Sequence, residues 1–271
     1  MTQEIPLGKA TAYPEQYSPG LLYAIARADS RATLGLSEAL PFHGCDIWNA
    51  WELTWLDPDG LPRVATAEIR VPADSPNIIE SKSLKLYLNS FAMTVYASNS
   101  DVSETIEQDL ISCTGSEVSV ELTPPPETGG ASTVQPPGDS LDTVGVRCNV
   151  YDVDAGLLQA NSGDVVTEQL HSHLLRSLCP VTSQSDSGSV MIAYRGPRID
   201  RAGLLRYIVS FRQHNDYHES CVERMFIDIL ERCKPEQLSV YARYQRRGGI
   251  DINPFRSNFE DDPPDTRVWR Q

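Results

Sequence analysis

The sequence predicts an α+β fold in which antiparallel sheets carry helix pairs on one face, twice along the chain. Three observations predict it. Two strand-like runs, 50–56 and 63–71, flank Asp57-Pro58-Asp59-Gly60, a turn-forming set, so they read as a hairpin. Two helical patterns follow, one with Leu84, Leu88, Phe91, Ala92 and Val95 on a face, the other with Val102, Ile106, Leu110 and Cys113. Finally, a shift of 120 residues brings ten identities into line between 84–121 and 204–241, among them Leu84/Leu204, Tyr87/Tyr207, Phe91/Phe211 and Val120/Val240. A duplicated ββααββ-like unit explains that match, with helices covering one face of each sheet.

The elements follow in order. Residues 1–45 look irregular, with a short apolar patch at Leu21-Leu22-Tyr23. A strand is expected at 117–122, then a Pro- and Gly-rich loop at 123–140, then another strand at 143–152. The second round has a strand at 188–195, helices at 201–213 and 216–233, and strands at 238–244 and 249–253. The domain expectation is a first unit over 1–160 and a second over 161–271.

Composition narrows the function. The 271 residues carry 23 Lys and Arg against 37 Asp and Glu, a formal charge of −14. Residues 99–170 hold −12 of it, whereas 171–271 are at +2. An acidic chain is a poor match for phosphate-backbone binding, so no direct nucleic-acid partner is expected. Met1-Thr2-Gln3-Glu4-Ile5-Pro6 shows neither basic nor apolar signal regions, and no apolar run reaches the roughly 18 residues of a membrane span. The expectation is a cytoplasmic protein with no membrane association. The six cysteines form no C-x-x-C pair and read as free thiols.

Few of these residues suggest chemistry by themselves. Cys113, Cys221 and Cys233 lie on apolar helical stripes and read as core; Cys45 and Cys148 show no partner pattern. Cys179 sits in a polar, loop-like stretch seven residues before Asp186, and a thiol nucleophile or a packing role would both suit it. His171-Ser172-His173 lacks the cysteine spacing of a zinc site, and no metal is expected. At His218-Glu219 a capping box, with Asp216 as N-cap and Glu219 at N3, competes with an anion- or ligand-binding helix start. Ser81 or Ser83 could cap the helix after Glu80, yet Lys82 and Lys85 in its first turns oppose the helix dipole and hint at an external anion. Arg243, Arg246 and Arg247 with Gly248-Gly249 form a second basic cluster. No G-x-G-x-x-G or Walker sequence occurs.

Taken together, Leu40-Pro41-Phe42-His43-Gly44, Glu80-Ser81-Lys82-Ser83-Leu84-Lys85, Cys179 to Asp186, Tyr217-His218-Glu219-Ser220-Cys221 and Arg246-Arg247-Gly248-Gly249 closely resemble the long form of the NADPH-dependent 7-cyano-7-deazaguanine reductases of queuosine biosynthesis. That resemblance covers nearly the whole chain. It implies two fused tunnelling-fold units, the fold also used by GTP cyclohydrolase I. Cys179 would attack the nitrile carbon to form a thioimide, and Asp186 would protonate the nitrogen. Two hydride transfers from NADPH would then give the imine and the aminomethyl product. His218 and Glu219, with Ile79, Glu80 and Ser81, would bind the deazapurine, His218 also assisting proton transfer. Ser81, Lys82, Arg247 and Gly248 would hold NADPH, and a homodimer is expected. The two residue sets lie in different halves of the chain, so the expectation is a site formed between repeats or between chains.

The chemistry is reasonable on its own terms. A nitrile is a weak electrophile, and thiolate addition with protonation creates a C=N group that accepts hydride. A buried carboxylate discriminates strongly for a guanine-like donor edge. One departure stands out: the family pattern places Pro before the acid and Trp after it, and here Ser185 and Ser187 flank Asp186. Two other readings remain open, a purine- or pterin-binding protein without turnover and a cysteine-dependent nitrile or amide hydrolase.

Overall fold

The computed structural model describes residues 14, 16–36, 39–126 and 133–271. They group into two units, 1–33, 46–130 and 246–251 in the first, and 34–45, 131–245 and 252–271 in the second. The division therefore differs from a boundary at 160. Residues 139–159 go with the second unit because their hydrogen bonds do: Gln213 N–H donates to Tyr151 O, and Ser172 Oγ donates to Asp142. Of the expected loop at 123–140, residues 127–132 lie outside the described residues. Among the described residues no helix is long and apolar enough to cross a membrane.

In the first unit, β1 (Ala24–Ala26) leads into α1 (Arg27–Thr33) within the stretch read as irregular. A long β2 (His43–Leu56) and β3 (Pro62–Pro72) make the expected hairpin, closed where Asp57 N–H donates to Leu61 O. β4 (Asn77–Ile79) pairs antiparallel with β1. Then come α2 (Ser81–Asn89), α3 (Asn99–Thr114) and β5 (Ser119–Thr123), which pairs antiparallel with β3 in the strand order β5-β3-β2. Alternate residues of β3, Ala65, Ala67, Ile69 and Val71, are buried with Leu84, Tyr87, Phe91, Val102, Ile106 and Leu110. Each fully buried large apolar side chain adds about 1.5–3 kcal/mol, so the helix stripes and the period-two strand hold each other in place.

The second unit opens with a short β6 (Asp139–Ser140), parallel to β7 (Ala160–Leu178). No strand forms at 143–152: the alternation of Val144, Val146, Cys148 and Val150 is there, but Val144 N–H turns back to Leu141 O. β7 was not anticipated. Asn161-Ser162-Gly163-Asp164 looks like a turn, and the structure places a register shift between Asn161 and Val165. β8 (Ser185–Ile199), α4 (Arg201–Ser210), α5 (His218–Cys233), β9 (Gln237–Tyr244) and β10 (Ile250–Ser257) complete the unit in the strand order β10-β9-β8-β7-β6. The even face of β8, with Val190, Ile192 and Tyr194, is buried along with Leu204, Tyr207, Met225, Phe226 and Ile229.

The duplication is visible in detail. Glu80 caps α2 by accepting from Lys82 and Ser83 N–H, and Asp200 caps α4 by accepting from Ala202 and Gly203 N–H. Tyr87 OH donates to Asp109 at 2.6 Å, and Tyr207 OH donates to Asp228 at 2.6 Å. These aspartates are 119 apart, not 120. The buried stripe of α3 (Val102, Ile106, Leu110, Thr114) likewise matches Cys221, Met225, Ile229 and Cys233 of α5 at 119. The ungapped alignment thus slips by one residue over the second helix. The slip falls after Tyr96 and Asp216: Tyr96 N–H donates to Leu56 O, and Asp216 N–H donates to Leu178 O, in parallel bridges of the same kind.

Candidate functional site

Four of the expected site residues come together in the second unit. β7 and β8 are joined by 179–184, and the ladder continues one step past Leu178↔Ser185 because Cys179 N–H donates to Gln184 O at 2.9 Å. Ser183 N–H closes the loop onto Cys179 O, with Ser183 itself in the left-handed region at φ 55°. Asp186 stands opposite Ser177. Cys179 and Asp186 therefore share a face as diagonal neighbours, with Cβ atoms roughly 7 Å apart. Both are nearly buried, at 5% and 7% exposure.

The start of α5 lies over that face. His218 Nε2 is 3.3 Å from Asp186 Oδ2, and the Tyr244 ring stacks on the imidazole at a centroid distance of 3.7 Å and 7° between planes. His218 Nδ1 is buried and meets no hydrogen-bond partner among the described residues. The expected capping box is absent. Tyr217 is the N-cap and makes no side-chain cap bond, Asp216 accepts from Tyr217 N–H instead, and Glu219 falls at N2. Glu219 is 3% exposed, so a carboxylate is buried in the first turn without serving as its cap. The positive end of the helix favours that charge. Cys221, one turn on, is core as expected: burial pushes its thiol well up, helped by the Asp216 and Asp186 charges and opposed by the Ser177 and Tyr244 side chains.

Ser185 and Ser187, the departure from the family pattern, face away from Asp186. They are more exposed, their hydroxyls lie 3.3 Å apart, and Arg176 Nε donates to Ser185 Oγ at 3.0 Å. The alternation of a strand keeps them off the acid.

The remaining expected residues lie in the first unit. Ile79 ends β4 and is buried; Glu80 follows, 1% exposed, its carboxylate accepting Lys82 N–H at 3.0 Å and Ser83 N–H at 2.7 Å. The N-cap is thus Glu80, not Ser81 or Ser83, and Ser83 Oγ donates to Glu80 O. Ser81 and Lys82 form the first turn of α2. Arg247 and Gly248 belong to the same unit, near the next turn of that helix. A hollow of about 190 Å³ is lined by Glu52, Leu53, Lys85, Asn89, Gly248 and Gly249, among others. Gly248 and Gly249 have φ of 59° and 76°; a Cβ on Gly249 would lie 2.6 Å from the Glu52 carboxylate, and one on Gly248 3.2 Å from Lys85. Bare, left-handed peptides beside a lysine, with Arg246 over the Trp51 ring at 5.5 Å, fit a phosphorylated dinucleotide. Arg243 does not belong to this cluster: it is buried in the second unit against Tyr241 OH, Gln271 and Asp265.

Sequence reasoning missed Tyr244, Glu52 and Asn89. Nothing in the spacing of the sequence singles them out. His171 and His173 are tied to Pro137 O and Ser189 Oγ, and no group of three His, Cys, Asp or Glu side chains suited to a metal occurs among the described residues.

Comparison with known proteins shows the family. The family described as nitrile reductase, 7-cyano-7-deazaguanine-reductase N-term, matches residues 13–122, and the QueF-like protein family matches residues 185–263. The NADPH-dependent 7-cyano-7-deazaguanine reductase of Burkholderia lata is 54% identical over 96% of this chain and 95% of its own length. Those of Bordetella pertussis and Paraburkholderia phytofirmans are 52% and 53% identical, over 98% and 99% of both chains.

The chain belongs to the NADPH-dependent 7-cyano-7-deazaguanine reductases.

It is a nitrile-reducing oxidoreductase of the queuosine pathway, it depends on NADPH, and it has the two-unit α+β tunnelling-type architecture expected of the fused form.

Proposed function

We propose that Cys179 is the nucleophile and Asp186 the acid for reduction of the 7-cyano group to aminomethyl. The observation that carries this is their diagonal placement on one buried face with His218 3.3 Å from the acid. Sγ bonds to the nitrile carbon, one C–N π bond breaks, and the thiol proton is delivered to nitrogen by way of Asp186. The resulting thioimide gains no net proton or electron. Burial of both groups keeps water from a reactive C=N. His218, with Nε2 3.3 Å from Asp186 Oδ2, is placed to assist proton transfer to and from that acid. Glu219 accepts from the guanine-like N–H edge. Ile79, Glu80 and Ser81 complete the substrate contacts, with Glu80 fixing the backbone at the start of α2.

Ser81, Lys82, Arg247 and Gly248 are proposed to hold NADPH, Lys85 lying beside Gly248. When bound, NADPH supplies the two hydrides that the nitrile requires. A free deazapurine as substrate, a homodimer and a cytoplasmic location complete the reading, and the acidic charge of 99–170 agrees with a protein that does not bind RNA.

Mixing the protein with 7-cyano-7-deazaguanine and following NADPH absorbance should give two NADPH per nitrile. Folded protein that consumes none would defeat the reading, and ammonia release without NADPH oxidation would make it a hydrolase. Without NADPH, intact mass should show an adduct that Cys179→Ala cannot form. Lys82→Ala and Arg247→Ala should each raise the KM for NADPH by roughly tenfold, steeper at low salt, and leave adduct formation intact.

A further inference from the structure

The contact between Tyr244 and His218 has no part in the chemistry above, yet it is the closest ring pair among the described residues. Tyr244 is fully buried at the end of β9, opposite Gly188 of β8. Gly188 makes room for it: a Cβ there would lie 3.2 Å from Tyr244 Cδ1 and 2.7 Å from Arg243 O. Backbone bonds fix the tyrosine in turn, its N–H donating to Asn253 Oδ1 and its carbonyl accepting from Gln271 Nε2. Its ring is therefore a rigid wall. A histidine ring is ordinarily free over a broad range of χ2. With a parallel ring 3.7 Å away it cannot turn out of plane without collision, so Nε2 stays aimed at Asp186.

We propose that Tyr244 is a positioning residue for the reaction, locking His218 in the plane that presents Nε2 to Asp186. This rests on the proposed roles of His218 and Asp186. The first unit gives independent support. At an offset of 120 along β5 and β9 the residue matching Tyr244 is Pro124, and that matching His218 is Asn99, so no ring pair is built there.

The test compares Tyr244→Phe, which keeps the ring, with Tyr244→Leu, which removes it. Adduct formation on Cys179 is timed by intact mass, and the orientation of the His218 ring is followed by NMR. Phe should behave within about threefold of the wild type. Leu should slow the adduct by roughly tenfold or more with NADPH affinity unchanged, and leave the His218 ring averaging over several orientations. A Leu variant with the wild-type rate and a single fixed His218 orientation overturns the proposal. So does a Phe variant as slow as Leu, which would place the effect in the hydroxyl near Ser177 and Cys221. If Leu fails to fold, Tyr244→Met asks the same question. Wild-type protein that forms no Cys179 adduct defeats the functional reading instead, and the His218 ring orientation read by NMR still judges the stack.

Discussion

The ends of the two central hairpins, β2–β3 and β7–β8, occupy the same place in their units and do opposite things. Leu56 N–H donates to Thr94 O and Leu178 N–H donates to His214 O, which makes Asp57 the counterpart of Cys179. Asp57 N–H pairs with Leu61 O as Cys179 N–H pairs with Gln184 O, which makes Arg63 the counterpart of Asp186. The same offset of 123 brings Ile69 onto Ile192, each opposite the matching valine of the next strand, Val120 or Val240. In the first unit this end is self-satisfied. Asp57 accepts from the N–H groups of Asp59 and Leu61, and Arg63 pairs with it at 2.8 Å. The Leu61 N–H holds the Asp57 carboxyl below the ordinary carboxylate range, with Arg63 and the Asp59 N–H adding to it. In the second unit the position carries a buried thiol, and the facing acid pairs with a histidine from a helix that has no side-chain cap. The corresponding α3 is capped by Ser98, which accepts from Asp101 N–H at 3.1 Å. One copy of the fold closes its polar groups on themselves at the hairpin end, and the other pairs its acid with a histidine from the helix.

Substitutions at matched positions sharpen this contrast. The largest effect is expected at the nucleophile: Cys179→Ala should abolish both the adduct and NADPH oxidation, at least a thousandfold by assay, while Asp57→Ala leaves turnover in place. Asp57 stabilises the fold above its unfolded pKa and loses that contribution as pH falls through its depressed folded value, so acid unfolding of Asp57→Asn should be less steep. Next comes Asp186→Asn, expected to lower kcat by roughly 10²–10⁴ with substrate affinity nearly kept; equal loss of affinity would make Asp186 a binding residue. Glu219→Gln should weaken substrate binding by about 1.5–3 kcal/mol in titration calorimetry and leave thermal stability nearly unchanged. Its counterpart test is Ser98→Ala, which should cost about 1 kcal/mol of stability through the lost cap with kcat/KM untouched. The smallest contrast is a predicted equality: Tyr87→Phe and Tyr207→Phe each remove a matched bond to a half-buried aspartate and should destabilise by similar amounts, about 1–2 kcal/mol in denaturant melts. A large difference would break the structural equivalence of the units.

Much of this was legible in the sequence, for reasons that differ by element. The hairpin at Asp57–Gly60 and the stripes of α3 and α5 are local signals, set by turn chemistry and by the spacing of apolar residues, whereas the stripe read over 84–95 runs past the end of α2 at Asn89 to an exposed Val95. The candidate site was legible through residue types grouped in short motifs: Cys179 to Asp186, His218-Glu219, and the run from Glu80 to Lys85. What was missed is nonlocal. β7 hides behind a turn-like Asn161–Asp164, and 144–150 alternates like a strand with no ladder to join. The capping box at Asp216 and Glu219 satisfied the pattern, but a one-residue difference in the lead-in to α5 moves the N-cap to Tyr217.

By itself the sequence determined the duplication and the fold class, because these follow from periodicity and repeated motifs, while the candidate reactive residues came from the family resemblance. Only the tertiary structure decided that Asp186 shares the buried face of Cys179 while Ser185 and Ser187 face away, since side-chain direction depends on pairing register. It alone decided that Glu80 caps a helix while Glu219 does not, because capping depends on a helix boundary known only to within a residue or two. It alone brought Tyr244 onto His218, twenty-six positions apart in the chain, because contacts between a strand end and a helix start leave no periodic trace in sequence.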